Sequence, residues 1–369
     1  MSALEHEEVL VRRGSRSGLT VIIAVHSTAL GQAVGGCRIW PYPSWRDGLD
    51  DALRLSRAMT YKCALAGLPA GGGKSVIPLP PAALSPDGLS ATLRRDVLLD
   101  LGDAVHSLSG RYGTAEDVGT TALYMLVVRE RTPHVFCLPE SHGGIGEPAE
   151  PTAAGVYTAL RVVCGEAFGS TEVAGRRFAI HGLGQVGGRL ARRLAAAGAR
   201  LVVGDIDEGR RELAAELGAE WVPPTELLGV QADVLVPASL GGLLTAEAAQ
   251  QLRCGAVAGP ANNQLAGDEV AAILAARGIL WAPDNVVNAG GAIYGVLREL
   301  HGQTHDAAMT QVGRIGETLA EIFAAARGES VTPHQAASRL ARHRVAEAEA
   351  ARGQPGSASA SAATAARRS

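Results

Sequence analysis

"HGLGQVGGRLARRLAAAGARLVVGDID" (residues 181–207) closes one apolar run, turns on glycines, enters a helix-like stretch and ends on a second apolar run. Gly182, Gly184 and Gly187 fit GxGxxG, in which the glycines permit a tight turn, the approach of a pyrophosphate and close helix packing. The spacing alone is weak. The preceding strand "RRFAIHG", a helix over 184–198 and Asp205 at the end of the next strand "RLVVGDI" supply the missing context. Together they read as a dinucleotide site. Asp205 is expected to accept hydrogen bonds from the adenosine ribose and to repel a 2′-phosphate, so NAD is preferred over NADP, with nearby Arg210 and Arg211 moderating that preference. His181 reads as a strand-end residue.

Outward from this stretch the chain keeps alternating: a helix over 208–217, "ADVLVPA", "GAVAGPA", a helix over 267–277 and "ILWAP". Such alternation predicts a parallel, doubly wound sheet. The N-terminal half is also α/β, with strands "LTVIIAVHS" (19–27) and "SVIPLP" (75–80), helices over 47–67 and 88–107, and a further helix after "RYGTAEDVGT" (111–120). "SHGGIGEPAEP" (141–151), dense in Gly and Pro, is the crossing between domains. The expected organisation is a substrate-binding and catalytic domain over 1–145, a nucleotide domain over 146–330, a C-terminal helix over 331–352 and a disordered low-complexity tail over 353–369. Helices are expected at 290–302, 306–327 and 333–350.

Composition narrows the partners. At 369 residues, 47% hydrophobic and 19% charged with a formal net charge of −3, the chain offers no electrostatic case for nucleic acid or an anionic membrane. No uncharged apolar run approaches the ~18 residues of a membrane span. The N-terminus does not read as a signal peptide, and five scattered cysteines without a CxxC favour free thiols in a reducing cytoplasm. His134, Cys137 and His142 lack a fourth ligand nearby, so a zinc site is set aside.

Lys62 and Lys74 are the only lysines beside 32 arginines, and both fall around one glycine run. "GLPAGGGKS" (67–75) imitates a phosphate loop, but Leu68 stands where that motif needs its first glycine. An arginine-rich chain that keeps lysine only here points to a site where a proton must leave, since guanidinium stays charged. The glycines are expected to form a turn that makes room for substrate and brings Lys74 back beside Lys62, two ammonium groups in one pocket. Two surface lysines remain the plain alternative. Asp117 joins this constellation, with a competing reading as the N-cap of the following helix.

The stretches "VGGCRIWPY", "MTYKCALAGLPAGGGKS", "RYGTAEDVGT", "GLGQVGG", "GPANNQLAG" and "GILWAPDNVVNAGGAI" occur in the order found in the glutamate/leucine/phenylalanine/valine dehydrogenase family, and the chain resembles its leucine, valine and phenylalanine branch over residues 20 to 350. The resemblance implies two α/β domains with a cleft between them, and reversible NAD-dependent oxidative deamination of an apolar amino acid to a 2-oxo acid and ammonia. It also implies a homo-oligomer. By resemblance Lys74 is the catalytic lysine, Asp117 handles protons at the amino group and Lys62 holds the α-carboxylate. Gly36 and Arg38 line the cleft, Arg38 on the cofactor side. Asn262 meets substrate and cofactor, and Thr152 meets the nicotinamide amide. Gln185, Val186 and Ala238 join the glycines of the dinucleotide loop in holding NAD.

The side-chain pocket is assigned by the same likeness to Val34, Ala115, Ala292 and Gly295. Glutamate-specific relatives carry a lysine at the position of Val34 and a hydroxyl residue at that of Gly295, so glutamate is expected to be a poor substrate. Leucine-type relatives tend to have larger residues at positions 34, 292 and 295, which predicts a wider pocket and favours phenylalanine or another bulky side chain. Valine and leucine are the alternative, and a catalytically silent NAD-binding paralogue is the rival of another class. Cys37 and Pro260 depart from the family pattern.

Overall fold

The computed structural model describes residues 4–80 and 88–353, so the tail expected beyond Gly353 lies outside the described residues. The chain divides into two units, one taking residues up to Gly146 and those from Leu340 onward, the other Glu147–Arg339.

The first unit runs β1 (Glu8–Arg13), β2 (Thr20–Ser27), β3 (Ala33–Pro41), α1 (Trp45–Leu65), β4 (Gly71–Leu79), α2 (Ala91–Ser107), β5 (Tyr112–Glu116) and α3 (Ala122–Arg129). Its mixed sheet has the order β1-β2-β4-β3-β5, antiparallel through β4 and parallel from β4 to β5. Side chains alternate across a strand, so this sheet has two distinct faces. One packs Val21, Ile23, Cys37, Ile39 and Ile77 against α2 and α3. The other packs Ile22, Ala24 and Val76 beneath α1. Ser44 and Asp47 start α1 with a capping box.

The second unit runs α4 (Ala149–Phe168), β6 (Arg177–His181), α5 (Gln185–Ala196), β7 (Arg200–Gly204), α6 (Arg211–Glu216), β8 (Glu220–Trp221), α7 (Pro224–Leu227), β9 (Val234–Pro237), α8 (Ala246–Gln251), β10 (Ala256–Val257), α9 (Glu269–Ala276) and β11 (Leu280–Trp281). Five further helices follow: α10 (Asp284–Val287), α11 (Gly290–Gly295), α12 (His305–Gly313), α13 (Ile315–Glu329) and α14 (Pro333–Gly353), the last shared with the first unit. The sheet is parallel throughout in the order β11-β10-β9-β6-β7-β8. Strand order reverses between β6 and β9, the place where a doubly wound sheet opens for a ligand.

Several expectations need correction. The single helix expected over 306–327 is two, α12 and α13, which break at Arg314. Gly71, Gly72 and Gly73 are not a turn but the first three residues of β4, all buried. The chain turns earlier, at Gly67 with φ of 63°. The helix expected over 290–302 stops at Gly295 and gives way to a π-helical turn over Val296–Leu300. The cap of α3 is Thr121, whose hydroxyl accepts from the Tyr124 amide, so the N-cap reading of Asp117 falls.

Candidate active site

In the first unit, parallel register sets Val34 beside Gly72 and Cys37 beside Ser75, which places Gly36 next to Lys74; across β5, Val34 faces Gly113 and Gly36 faces Ala115. Val34, Gly36, Arg38, Lys74 and Ala115 therefore share the α1 face, with Asp117 just past the end of β5. Lys62 sits half-buried in the last turn of α1, the negative end of that helix dipole. Arg344 donates to the Ala64 and Leu65 carbonyls at 3.1 Å each and so closes the same helix end.

Lys74 is only 5% exposed, and its Nζ lies 2.8 Å from Asp117 Oδ2. The same oxygen accepts from Arg38 Nε at 3.1 Å, while Arg38 Nη1 donates to Asp51 Oδ2 at 3.0 Å. Tyr42 and Arg54 complete the surroundings of Asp51 at 2.6 Å each. The result is a chain of alternating charge from Lys74 to Arg54. Burial alone raises the Asp117 carboxyl, but the Lys74 ammonium and Arg38 guanidinium outweigh it and hold the group below the usual carboxylate range. Arg38, expected on the cofactor side, spends two of its donors bracing Asp117 and Asp51. Asp51, Tyr42 and Arg344 went unread in the sequence because their partners are set by sheet order and by a helix about 280 residues away.

The glycine run serves packing. A Cβ on Gly72 would lie 2.0 Å from the Thr60 amide of α1, and one on Gly73 would lie 2.5 Å from the Tyr112 ring. Gly36 likewise admits Asp117, with a built Cβ 2.4 Å from the Glu116 carbonyl.

In the second unit, Gly182 ends β6 at φ of +109°, a left-handed backbone that glycine tolerates, and a Cβ there would sit 2.9 Å from the Ala238 carbonyl. Gly187 allows contact of α5 with the loop, since its Cβ would lie 2.1 Å from the Gly182 oxygen. Gly184 meets nothing within 4 Å and caps α5 without any side-chain hydrogen bond. Open space before uncapped helix amides suits a pyrophosphate, so Gly182, Gly184, Gln185, Val186 and Gly187 fit a dinucleotide. Asp205 follows β7 and accepts from the Leu183 amide at 2.6 Å and the Asp207 amide at 2.8 Å. It therefore shapes the loop, while its remaining lone pairs can still take ribose hydroxyls. Arg210 lines an open pocket of about 340 Å³ beside Gly184, whereas Arg211 lies over the Trp221 ring and pairs with Glu208.

Asn262 follows β10 in an exposed loop. Thr152, in the first turn of α4, donates to the Pro148 carbonyl at 2.8 Å. Gly290 and Gly291 let α11 approach that turn, a built Cβ on Gly291 lying 2.6 Å from Thr152 Oγ1. Ala292 and Gly295 ride on the same short helix.

A family model described as "Glu/Leu/Phe/Val dehydrogenase, dimerisation domain" matches residues 6–134, and one described as "Glutamate/Leucine/Phenylalanine/Valine dehydrogenase" matches 203–353. The leucine dehydrogenase of Geobacillus stearothermophilus is 40% identical over 94% of this chain and 92% of its own length. The chain belongs to the glutamate/leucine/phenylalanine/valine dehydrogenase family. Within that family the phenylalanine dehydrogenase of Bacillus thermotolerans is 38% identical over 92% of this chain and 88% of its own. The crystal structure of L-tryptophan dehydrogenase from Nostoc punctiforme superimposes with a TM-score of 0.81 at 36% identity, covering 94% of this chain and 97% of that one. An NAD-binding domain model of D-isomer specific 2-hydroxyacid dehydrogenases also matches residues 158–241, the span of the glycine loop. This family member is an NAD-dependent amino-acid dehydrogenase of the leucine, valine and phenylalanine branch.

Proposed function

We propose that the protein catalyses reversible oxidative deamination of an apolar L-amino acid, with phenylalanine or another bulky side chain preferred. The observation that carries this reading is one sheet face. It joins the buried Lys74–Asp117 pair to two apolar side chains, Val34, 1% exposed, and Ala115, neither of which can pair a distal carboxylate. An unpaired carboxylate buried there is costly, which disfavours glutamate.

The reaction consumes amino acid, NAD⁺ and water and yields 2-oxo acid, ammonium, NADH and a proton. Bound NAD supplies the hydride acceptor. Lys62 holds the α-carboxylate, and loss of hydride from Cα leaves an iminium carbon. Lys74, in its neutral form, takes a proton from the water that attacks this carbon, and Asp117, 2.8 Å away, exchanges protons with Lys74 and the leaving amine. Asn262 and Thr152 orient substrate and nicotinamide.

A leucine or valine preference is the second reading, favoured by leucine and phenylalanine relatives standing at nearly equal identity. NADH formation across all proteinogenic amino acids decides between them. Gly295→Val should move kcat/KM about tenfold or more toward leucine and valine, the worth of one or two methylenes in a pocket. A wild type that prefers valine and is indifferent to the change overturns the wide-pocket reading. No NADH from any amino acid would leave only the silent paralogue.

The dimerisation-domain match over 6–134 supports a homo-oligomer, to be checked by sedimentation. Five free thiols support the cytoplasm, and no described helix is long and apolar enough to cross a membrane.

A further inference from the structure

We propose that Asn288 is a positioning residue that sets which end of the Asn262 side-chain amide meets the substrate. The inference rests on the reading that Asn262 contacts substrate. Asn288 caps α10 and is 7% exposed. Its Nδ2 lies 3.2 Å from the Pro260 carbonyl and 2.8 Å from Asn262 Oδ1.

A carbonyl can only accept, so the NH₂ end of Asn288 must face Pro260. The group that shares this NH₂ must then be an acceptor as well, which turns the Asn262 oxygen inward and its NH₂ end outward. One invariable acceptor thereby fixes two amide orientations in sequence. Asn288 Oδ1 is left buried with no partner among the described residues. Flipping Asn288 would bring that oxygen against the Pro260 oxygen, exchanging an orphan acceptor for a repulsion between two. The end of the Asn262 amide opposite Asn288 is consequently its donor end, the end suited to a carboxylate or carbonyl oxygen.

The anchor itself is held firmly. Gln264, fully buried, donates to the Gly259 carbonyl at 2.8 Å and the Ala261 carbonyl at 3.1 Å, bracketing Pro260. The Gln264 amide donates to Asp284 Oδ2 at 2.9 Å, and the Asn288 amide donates to the Asp284 carbonyl at 2.9 Å. The first turn after β11 thus grips the 259–264 loop at both ends. The departure at Pro260 leaves this device intact, because only the carbonyl of that residue is used.

The test is a double-mutant cycle on the full-length enzyme, with L-phenylalanine and L-leucine as probe substrates and thermal melting recorded for each variant. Asn262→Ala and Asn288→Ala should each lower kcat/KM for the amino acid about tenfold or more, whereas Asn288→Ala added to Asn262→Ala should cost less than about twofold further. Multiplying losses in the double variant overturn the inference while leaving Asn262 in the site. Unchanged kcat/KM in Asn262→Ala overturns the reading of Asn262, and the inference with it. Asn288→Asp keeps the shape but replaces the donor, so it serves if the alanine variant does not fold. It should lose activity as Asn288→Ala does and, like it, cost less than about twofold further in the Asn262→Ala background; wild-type kcat/KM in Asn288→Asp overturns the proposal.

Discussion

Glycine does opposite work in two glycine-rich stretches, at the start of β4 and at the cap of α5. At Gly72 and Gly73 its missing side chain is filled by protein, by the Thr60 backbone at 2.0 Å and the Tyr112 ring at 2.5 Å from a built Cβ. At Gly184 nothing lies within 4 Å. Gly72 lets α1 lie close on the sheet and Gly73 admits the Tyr112 ring on the opposite face, whereas Gly184 leaves a helix end open to a ligand. A glycine-rich stretch therefore says nothing about ligands until its neighbours are known.

The strongest test separates the chemistry of the first unit from the cofactor site of the second. Lys74→Ala should lower kcat by about 10³-fold or more while the NAD dissociation constant stays within about twofold, because the dinucleotide loop lies in the other unit. Lys74→Arg should fail almost as badly, since guanidinium keeps its proton. More than about a tenth of wild-type turnover in the Arg variant would remove the proton-transfer role.

The glycines themselves come next. Gly72→Ala must displace the α1 backbone and should destabilise the first unit by about 3 kcal/mol or more, read by urea unfolding. Gly184 has φ of −63°, open to any L-residue, so Gly184→Ala should change stability by less than about 0.5 kcal/mol and weaken NAD binding about tenfold. Equal stability losses in the two variants would erase the distinction.

This contrast also marks what the sequence could reveal. The strand–turn–helix around Gly182, Gly184 and Gly187 was legible because its spacing is local, and the parallel sheet followed from alternation of elements. The family stretches named Lys62, Lys74 and Asp117. The alternating-charge chain through Arg38, Asp51 and Tyr42 was not legible, since it depends on β3 lying between β4 and β5. Strands β3 and β5 were themselves hidden: "AVGGCRIWP" and "YGTAE" hold glycines and small residues that weaken any strand signal. The glycine run misled for the same reason, a buried strand with little side chain to betray it.

Within the second unit, Asp205 carries two tasks that one ratio can divide. Asp205→Ser replaces the two carboxylate oxygens that accept from the Leu183 and Asp207 amides with one hydroxyl on a shorter side chain, which should weaken both cofactors alike. It also removes the negative charge that opposes a 2′-phosphate, which affects NADP alone. The kcat/KM ratio of NAD to NADP should therefore fall about tenfold while both values decline. An unchanged ratio would reduce Asp205 to a loop brace.

The smallest expected effect concerns acid, and it returns to the α1 contact that Gly72 allows. His6 and His26 meet edge-on with ring centroids 4.9 Å apart, His6 Nε2 lying 3.1 Å from the Leu53 carbonyl and His26 Nδ1 lying 2.9 Å from Thr60 Oγ1, both on α1. Burial, aided by His6 and Arg57, lowers His26 to about 4, and burial also lowers His6. The folded chain thus favours the neutral form of both rings, while unfolded histidine takes its proton near 6.5. The stability tied to neutrality is complete above about pH 6.5 and is lost as pH falls through about 4. His26 is half-buried, so solvent screening leaves on the order of 1 kcal/mol. His26→Gln should flatten the decline of the melting temperature between those values. Amide exchange at pH 5 should show β2 and α1 losing protection ahead of β6 and β9. If wild type and His26→Gln decline alike, the pair does not set the acid limit of the first unit.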